Sequence, residues 1–589
     1  MLRWVLLALT LPAPTVFAHD SADLILTGGK IATLRFQEGF VEAIAIQDGR
    51  VQAIGTAKEI APFRGEQTRV IELAGRTVIP GLNDSHTHLV RGGRFYNLEL
   101  RWEGVKTLAE GLKKIETQAK RTPEGEWVRV IGGWSPFQFA ERRMPTIAEL
   151  NQAAPETPTF VLYLYSQGFL NRAGVEALGL TEESEVPKGG RIEFVDGGAI
   201  LHAEPNPTIL YKTIARLPHM TEEQQVNSTL QFYRELNRFG LTSAVDAGGG
   251  GHVFPENYGA SQQLAREGRL PIRISFFLFP QRPGKEFQDF ETWTDNNRSG
   301  ENIDIVHRNG YVLEGGGEFL VWAAGDFENF MAPRPALQAH MDKHLAAVTG
   351  LLVEKRWPFR IHATYGESID RILNVFERVN EKTPFAGLRW IIDHAETIRP
   401  DQIQRVQRLG GGIAIQNRMS FAGEYFLERY GKEKTAQSPP LRELLESGIP
   451  LALGTDATRV SSYNPWTALS WLITGKTVGG TEMYPKEERL SRLEALRLMT
   501  EGSAWFSGEE NLKGTLKPGA FADLAVLTDD YFTVPEDRIE TIEALLTIVG
   551  GSIVYGTGPF AGTAPEVPPV VPAWSPVTEF GGYPTRQER

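Results

Sequence analysis

Short apolar runs alternate with amphipathic stretches through the middle of this chain. The runs that read as buried strands are 77–88, Leu241 to Asp246, Ile272 to Phe279, Gly310 to Glu314, Phe359 to Ala363, Trp390 to Asp393, Gly412 to Gln416 and Leu451 to Gly454. Helical periodicity separates most of them, as in Glu222 to Arg238, Ala336 to Glu354, Ser368 to Val379 and Pro439 to Ser447. Such alternation implies parallel strands joined by crossover helices. Eight units predict an α/β fold, a closed (β/α)8 TIM barrel over 77–512. An open doubly wound sheet is the alternative, but no G-x-G-x-x-G follows a strand.

The two ends of the chain carry a different pattern. Ala22 to Leu34, Ala43 to Gly55 and Val70 to Leu73 are short strands broken by Gly and Asp-Gly turns, and Ala522 to Leu527 and Ile548 to Tyr555 resemble them. We expect one small β-sandwich domain built from 19–76 and 513–560, with the barrel inserted between. Roughly 150 residues separate the first two barrel strands, too many for a structureless loop, so 95–215 is expected to form an inserted lobe. Its aromatics, Trp134, Phe137, Phe139, Tyr163, Tyr165 and Phe169, are expected to be mostly its own core. Trp134, after a Gly-Gly pair, is the first choice for a substrate contact. Gln416, at the end of the seventh strand, is another. Residues 561–589, rich in Pro and Gly, read as an extended tail.

Residues 1–18 read as an export signal. Arg3 gives a positive start, Trp4 to Leu11 an apolar stretch too short to span a bilayer, and Val16-Phe17-Ala18 a cleavage site near Ala18. The expected location is therefore periplasmic or secreted. Composition narrows the chemistry further. The chain has 589 residues and a net charge of −12, and no basic run stands out. Nucleic acid and membrane surfaces are thus not expected partners; a small-molecule substrate is, and a homodimer is left open. There is no cysteine, so a transition metal must be held by His and carboxylates.

The run Val78-Ile79-Pro80-Gly81-Leu82-Asn83-Asp84-Ser85-His86-Thr87-His88 ends a strand with two imidazoles two residues apart. Alternate strand residues share a face, so His86 and His88 can bind one metal ion. Alone, an H-x-H is more often a chance surface pairing. Three further candidates stand at equivalent places: His362 ends Phe359 to His362, His394 ends Trp390 to His394, and Asp456 follows Leu451 to Thr455. Singly, each reads as a hydrogen-bonded structural His or an N-cap Asp. Together they stand at the carboxyl ends of strands one, five, six and eight, which face one mouth of a barrel.

On the motifs Pro80 to His88, Ile361-His362-Ala363, Asp393-His394-Ala395 and Leu453-Gly454-Thr455-Asp456-Ala457, the chain resembles the amidohydrolase superfamily. Gly514 to Val526 is similar to that superfamily's return to its β-domain. The resemblance is to the branch with long insertions after the first strand, which includes YtcJ-like and N-substituted formamide deformylase-like hydrolases. It implies a metal-dependent hydrolase that cleaves a non-peptide C–N bond with metal-activated water. Zinc is the favoured divalent ion. Asp456 would shuttle the proton. His394 would be a ligand, or a hydrogen-bond donor to the water.

Many relatives carry a bridging lysine on the fourth strand; alignment puts Val312 there. Glu314, two residues on, shares its strand face and is the candidate replacement. One ion, held by His86, His88, His362 and Asp456, is favoured over a Glu314-bridged pair. A second departure is Ser166-Gln167, near which relatives often place a pocket histidine. The lobe's aromatic content favours an apolar or aromatic substrate. Ester, lactone or deaminase chemistry would use the same site. A lyase or isomerase remains open on this barrel, as does a non-catalytic binding or regulatory protein that kept its metal.

Overall fold

Eight parallel strands, β1 (Leu82–Thr87), β2 (Leu241–Asp246), β3 (Arg273–Leu278), β4 (Tyr311–Gly316), β5 (Phe359–Ala363), β6 (Trp390–His394), β7 (Gly412–Gln416) and β8 (Leu451–Gly454), form one sheet in sequential order. The computed structural model describes residues 20–35, 39–299, 310–327 and 329–584, so the expected export segment lies outside the described residues. Strand β1 is buried throughout, as are β2, β5, β6, β7 and β8, because side chains face the barrel interior on one side and helices on the other. Val245, Phe277, Ile391, Ala414 and Ala452 form an interior layer, with Phe506 against it. The barrel is therefore a filled core, and its chemistry is confined to the mouth.

The apolar run 77–88 is two strands. Thr77–Pro80 belongs to another sheet, and the chain enters the barrel at Leu82. The junction is Gly81, where a Cβ would stand 2.0 Å from the Thr242 hydroxyl. Strand β4 also differs from its expected bounds: it starts at Tyr311 and continues to Gly316.

The sequence ends meet in two facing sheets. One orders Arg50–Gly55, Ala43–Gln47, Leu24–Thr27 and Arg69–Glu72; the other orders Ser552–Gly556, Ala544–Val549, Leu524–Leu527, Thr77–Pro80, Lys30–Ala32 and Phe40–Val41. Leu24, Leu26, Ile44 and Ile46 pack against Leu524, Val526, Leu546 and Ile548 between them. Between β1 and β2 a six-stranded sheet, from Glu99–Leu100 to Gly198–Ala203, makes a lobe with its own core of Phe160, Leu162, Leu170 and Leu201. No described helix is long and apolar enough to cross a membrane.

The C-terminal segment is docked. Asn97, Gln118, Asn227 and Gln231 donate side-chain amides to the carbonyls of Val571, Trp574, Pro569 and Pro568 at 2.6 to 2.9 Å. Polar side chains thus satisfy a proline-rich strand that has few N–H groups of its own. Tyr583 is buried against Phe239 and Tyr463. Its N–H donates to Glu235 at 3.0 Å, and its carbonyl accepts from Arg238 at 2.9 Å. Burial raises the Glu235 carboxyl, but the Arg238 guanidinium outweighs that and holds it below the usual carboxylate range. Its stabilising effect is therefore present above its unfolded value, about 4.3, and lost as pH falls through the lower folded value. Glu235→Ala should destabilise the fold by roughly 1–3 kcal/mol at pH 7, because Arg238 loses its bidentate partner and keeps Glu543. Denaturant melts would read this, and the deficit should shrink on acidification below about pH 4.

Candidate metal centre

His86, His88, His362, His394 and Asp456 converge at the carboxyl ends of β1, β5, β6 and β8. All five are at most 5% exposed. His88 Nε2 lies 3.0 Å and His86 Nε2 3.5 Å from Asp456 Oδ1. His86, His88 and Asp456 offer three ligand atoms mutually within 4.8 Å. Such a cluster of imidazole nitrogens and carboxylate oxygens fits a first-row divalent ion.

A sixth residue belongs here that the sequence reading missed. Glu318 stands among all four imidazoles, 3.6 Å from His86 Nε2, 3.6 Å from His88 Nε2, 3.5 Å from His362 Nδ1 and 3.3 Å from His394 Nε2. With His86 and His394 it forms a second triad. Glu314, the expected bridging carboxylate, is elsewhere. Burial and neighbouring Glu509 push it up to about 8, and Lys513 and Arg389 are its nearby cations. Glu314 shares the Ser275 and Glu509 side of the strand with Val312. A β-bulge follows: Phe276 pairs with Leu313 and Phe277 with Gly315, so Glu314 is the extra residue and the two-residue count fails beyond it. Glycines then carry the backbone to Glu318. A Cβ at Gly315 would stand 1.8 Å from the Pro358 carbonyl oxygen, and one at Gly317 would stand 2.7 Å from that of Ala247. Gly315-Gly316-Gly317 before a carboxylate at a strand end was the available signal.

Each imidazole is aimed by a partner on its other nitrogen. His86 Nδ1 donates to Asp393 at 2.9 Å, and Asp393 is held by buried Arg360. His88 Nδ1 meets the Gly248 carbonyl. His394 Nδ1 donates to Gln416 Oε1 at 2.6 Å, and the Gln416 amide donates to Ala414 O at 2.8 Å. Three Nε2 lone pairs are thereby left facing the centre, and His86 Nε2 has no hydrogen-bond partner among the described residues. With its proton committed to Gln416, His394 suits the ligand role and not that of donor to a water. Gln416, 1% exposed, is thus placed to orient His394. Trp134 is displaced from its expected role too. It is fully buried, donates to Leu162 O at 2.9 Å and packs on Trp102, Phe139 and Tyr163; with Phe139, Tyr163, Tyr165 and Phe169 it belongs to the core continuous with the barrel, not to the lobe's own core as expected. Of the lobe aromatics, Tyr165 reaches Tyr211, 5.2 Å between ring centroids, near buried Arg91.

The backbone is strained where it delivers ligands. Asp393 and His394 are consecutive, so a regular strand would send them to opposite faces. His394 instead takes φ +80° and Ala395 φ +56°, and Asp456 takes φ +58°. Such conformations cost of order 1–3 kcal/mol each and persist only where surroundings enforce them. Electrostatics favour ligation. Burial would raise Glu318 and Asp456, but the imidazoles beside them, His362 and His394 at Glu318 and His86 and His88 at Asp456, hold both well below the usual carboxylate range. Burial and neighbouring Arg418 push His394 down to about 3, leaving it neutral.

A profile of the Amidohydrolase family matches residues 69–555. The chain belongs to the amidohydrolase family. This amidohydrolase is 26% identical over 559 residues to the N-substituted formamide deformylase of Arthrobacter pascens, covering 90% of this chain and 98% of that one. It is 23% identical over 549 residues to a Bacillus subtilis protein named YtcJ, with the same two coverages. Among solved structures, an uncharacterised metal-dependent hydrolase from Pyrococcus horikoshii superposes with a TM-score of 0.62 at 22% identity, over 87% of this chain and 99% of that one. That likeness is one of fold.

The hydrogen bond from His394 to Gln416 makes a prediction. Gln416→Leu should weaken metal binding about 10-fold or more, as loss of such orienting partners does. Competition with a chromophoric chelator would measure it. A raised KM with unchanged metal affinity would instead return Gln416 to the substrate.

Proposed function

We propose that this amidohydrolase cleaves a non-peptide, amide-type C–N bond of a small molecule with a single zinc ion. The observation that supports it best is the set of three imidazole Nε2 atoms and two ionised carboxylates aimed at one point of the barrel mouth. His86, His88 and Asp456 would hold the ion, with Glu318, His362 and His394 beside it. The chemistry such a cation supplies is a water acidified from 15.7 towards about 7 and a polarised carbonyl. Asp456, kept ionised by its histidines, takes a proton from the attacking water and passes it to the leaving nitrogen. One ion is favoured over two because both triads need His86, and its Nδ1 is committed to Asp393.

The choice of a C–N bond leans on the formamide deformylase relative. An apolar part of the substrate is supported by Phe319 and Phe327, whose rings lie 5.1 and 6.1 Å from that of His362. The decisive assay pits zinc-loaded protein against N-formyl and N-acyl amines, ureas, cyclic imides, esters and lactones. We expect amine release from the amide-type compounds. Hydrolysis of esters or lactones alone would replace this reading. Asp456→Asn should lower kcat by about 10²–10⁴-fold with its melting temperature near that of the wild type. Unchanged turnover would remove Asp456 from the chemistry. Elemental analysis should give one zinc per chain.

A further inference from the structure

Beside the metal centre lies a second group of buried polar side chains that the hydrolytic steps do not use. Arg91 comes from the helix that follows His88, Arg459 from the loop after Asp456, and His252 from the glycine-rich turn after β2. Tyr165 and Tyr211 approach from the inserted lobe and the helix after it. Arg91, Arg459 and His252 are 3%, 4% and 1% exposed. Yet Arg91 Nε, Arg459 Nη1 and both ring nitrogens of His252 have no hydrogen-bond partner among the described residues. Nor does either guanidinium make an ion pair within 4.0 Å among them. The group adjoins the ligands directly. A Cβ on Gly249 would stand 3.0 Å from His88 Nδ1, 3.1 Å from His252 and 3.3 Å from Arg91 Nη1. Arg459 faces the Tyr211 ring at 5.6 Å.

Buried arginines without partners are costly, and proteins that keep them place them where an anion arrives. The surrounding acids do not supply that anion. Asp246 is engaged by the N–H groups of Val90 and Gly248, at 2.7 and 2.8 Å, and Glu99 by Arg101. Glu318 and Asp456 face the metal position. Arg94, bound to Gln225 at 3.0 Å, adds to the positive potential around His252. Guanidinium forks flanked by phenol hydroxyls match the paired oxygens of a carboxylate.

We propose that Arg91 and Arg459, with His252, Tyr165 and Tyr211, form a specificity pocket for a carboxylate carried by the substrate. The favoured substrates then have a free carboxylate on the Arg91 side of the scissile bond and an apolar group on the Phe319 side. The word substrate rests on the hydrolase reading above; binding of the anion does not.

The test uses two probes that cannot be hydrolysed, 4-phenylbutyrate and 4-phenylbutanol, titrated calorimetrically into zinc-loaded protein. The carboxylate should bind at least about 10-fold more tightly, as charged hydrogen bonds predict. Arg91→Met and Arg459→Met should each erase that preference while binding of the alcohol persists. Equal binding by the wild type overturns the proposal. So does a preference that survives both substitutions, since the metal would then be holding the carboxylate. Should the methionine variants not fold, Arg91→Lys and Arg459→Lys decide. Weakened carboxylate binding beside unchanged alcohol binding supports the pocket, and unchanged carboxylate binding overturns it. Hydrolysis of neutral amides with no carboxylate preference would overturn the pocket and leave the hydrolase reading standing.

Discussion

The seam between β8 and β1 is the constraint on which the centre depends. These strands carry His86, His88 and Asp456, and a buried carboxylate stitches them together. Asp84 accepts from the Thr455 N–H at 3.0 Å, the Thr455 hydroxyl at 2.5 Å and the His86 N–H at 3.0 Å. Two backbone bonds continue the join: Asp456 N–H to His86 O at 2.8 Å and His88 N–H to Ala457 O at 3.0 Å. Gly454 lets the strands close, since a Cβ there would stand 2.6 Å from the His86 nitrogen. Burial pushes Asp84 up to about 6, against these hydrogen bonds. The residue thus costs desolvation and returns it as fixed geometry, bringing ligands some 370 positions apart in sequence to one point.

From that seam, order passes around the rim through side chains. Arg360 holds Asp393, Asp393 holds His86, and Arg360 also donates to Ser85 O at 3.1 Å. Strand β5 therefore fixes a ligand on β1 through a carboxylate on β6. The same rim contains the left-handed backbone of His394 and Asp456, held by its neighbours. A site assembled this way has little freedom to adjust, which suits pre-organised ligation.

Much of this was legible in the chain, and the reasons are local. A strand that ends in a polar residue is readable because burial on both faces makes polar residues sparse elsewhere in it, so His362, His394 and Asp456 stood out. The eight-strand alternation was visible for the same reason. Glu318 was not, because a bulge at Glu314 breaks the two-residue count and the Gly315-Gly316-Gly317 run beside it reads equally well as a turn. The roles of Trp134 and Gln416 were beyond reach for another reason. Whether a side chain at a strand end faces the substrate or a neighbouring ligand is set by contacts with distant segments, here Leu162 and His394.

The distribution of charge connects the centre to what it can hold. On one side, Glu318 and Asp456 concentrate negative charge where a cation belongs, and Arg360 neutralises Asp393, the carboxylate that orients His86. On the other side, Arg91 and Arg459 stand without carboxylate partners among the described residues, while Phe319 and Phe327 present an apolar wall by His362. A substrate of the kind proposed above, spanning these walls, would be oriented by both ends before its central bond is touched. Orientation of that kind can supply several kcal/mol towards a reaction barrier. The long insertion after β1 gains a physical purpose from this arrangement. It adds Trp134 to the core continuous with the barrel, and it contributes Tyr165 at the place where the arginines have no carboxylate partner among the described residues.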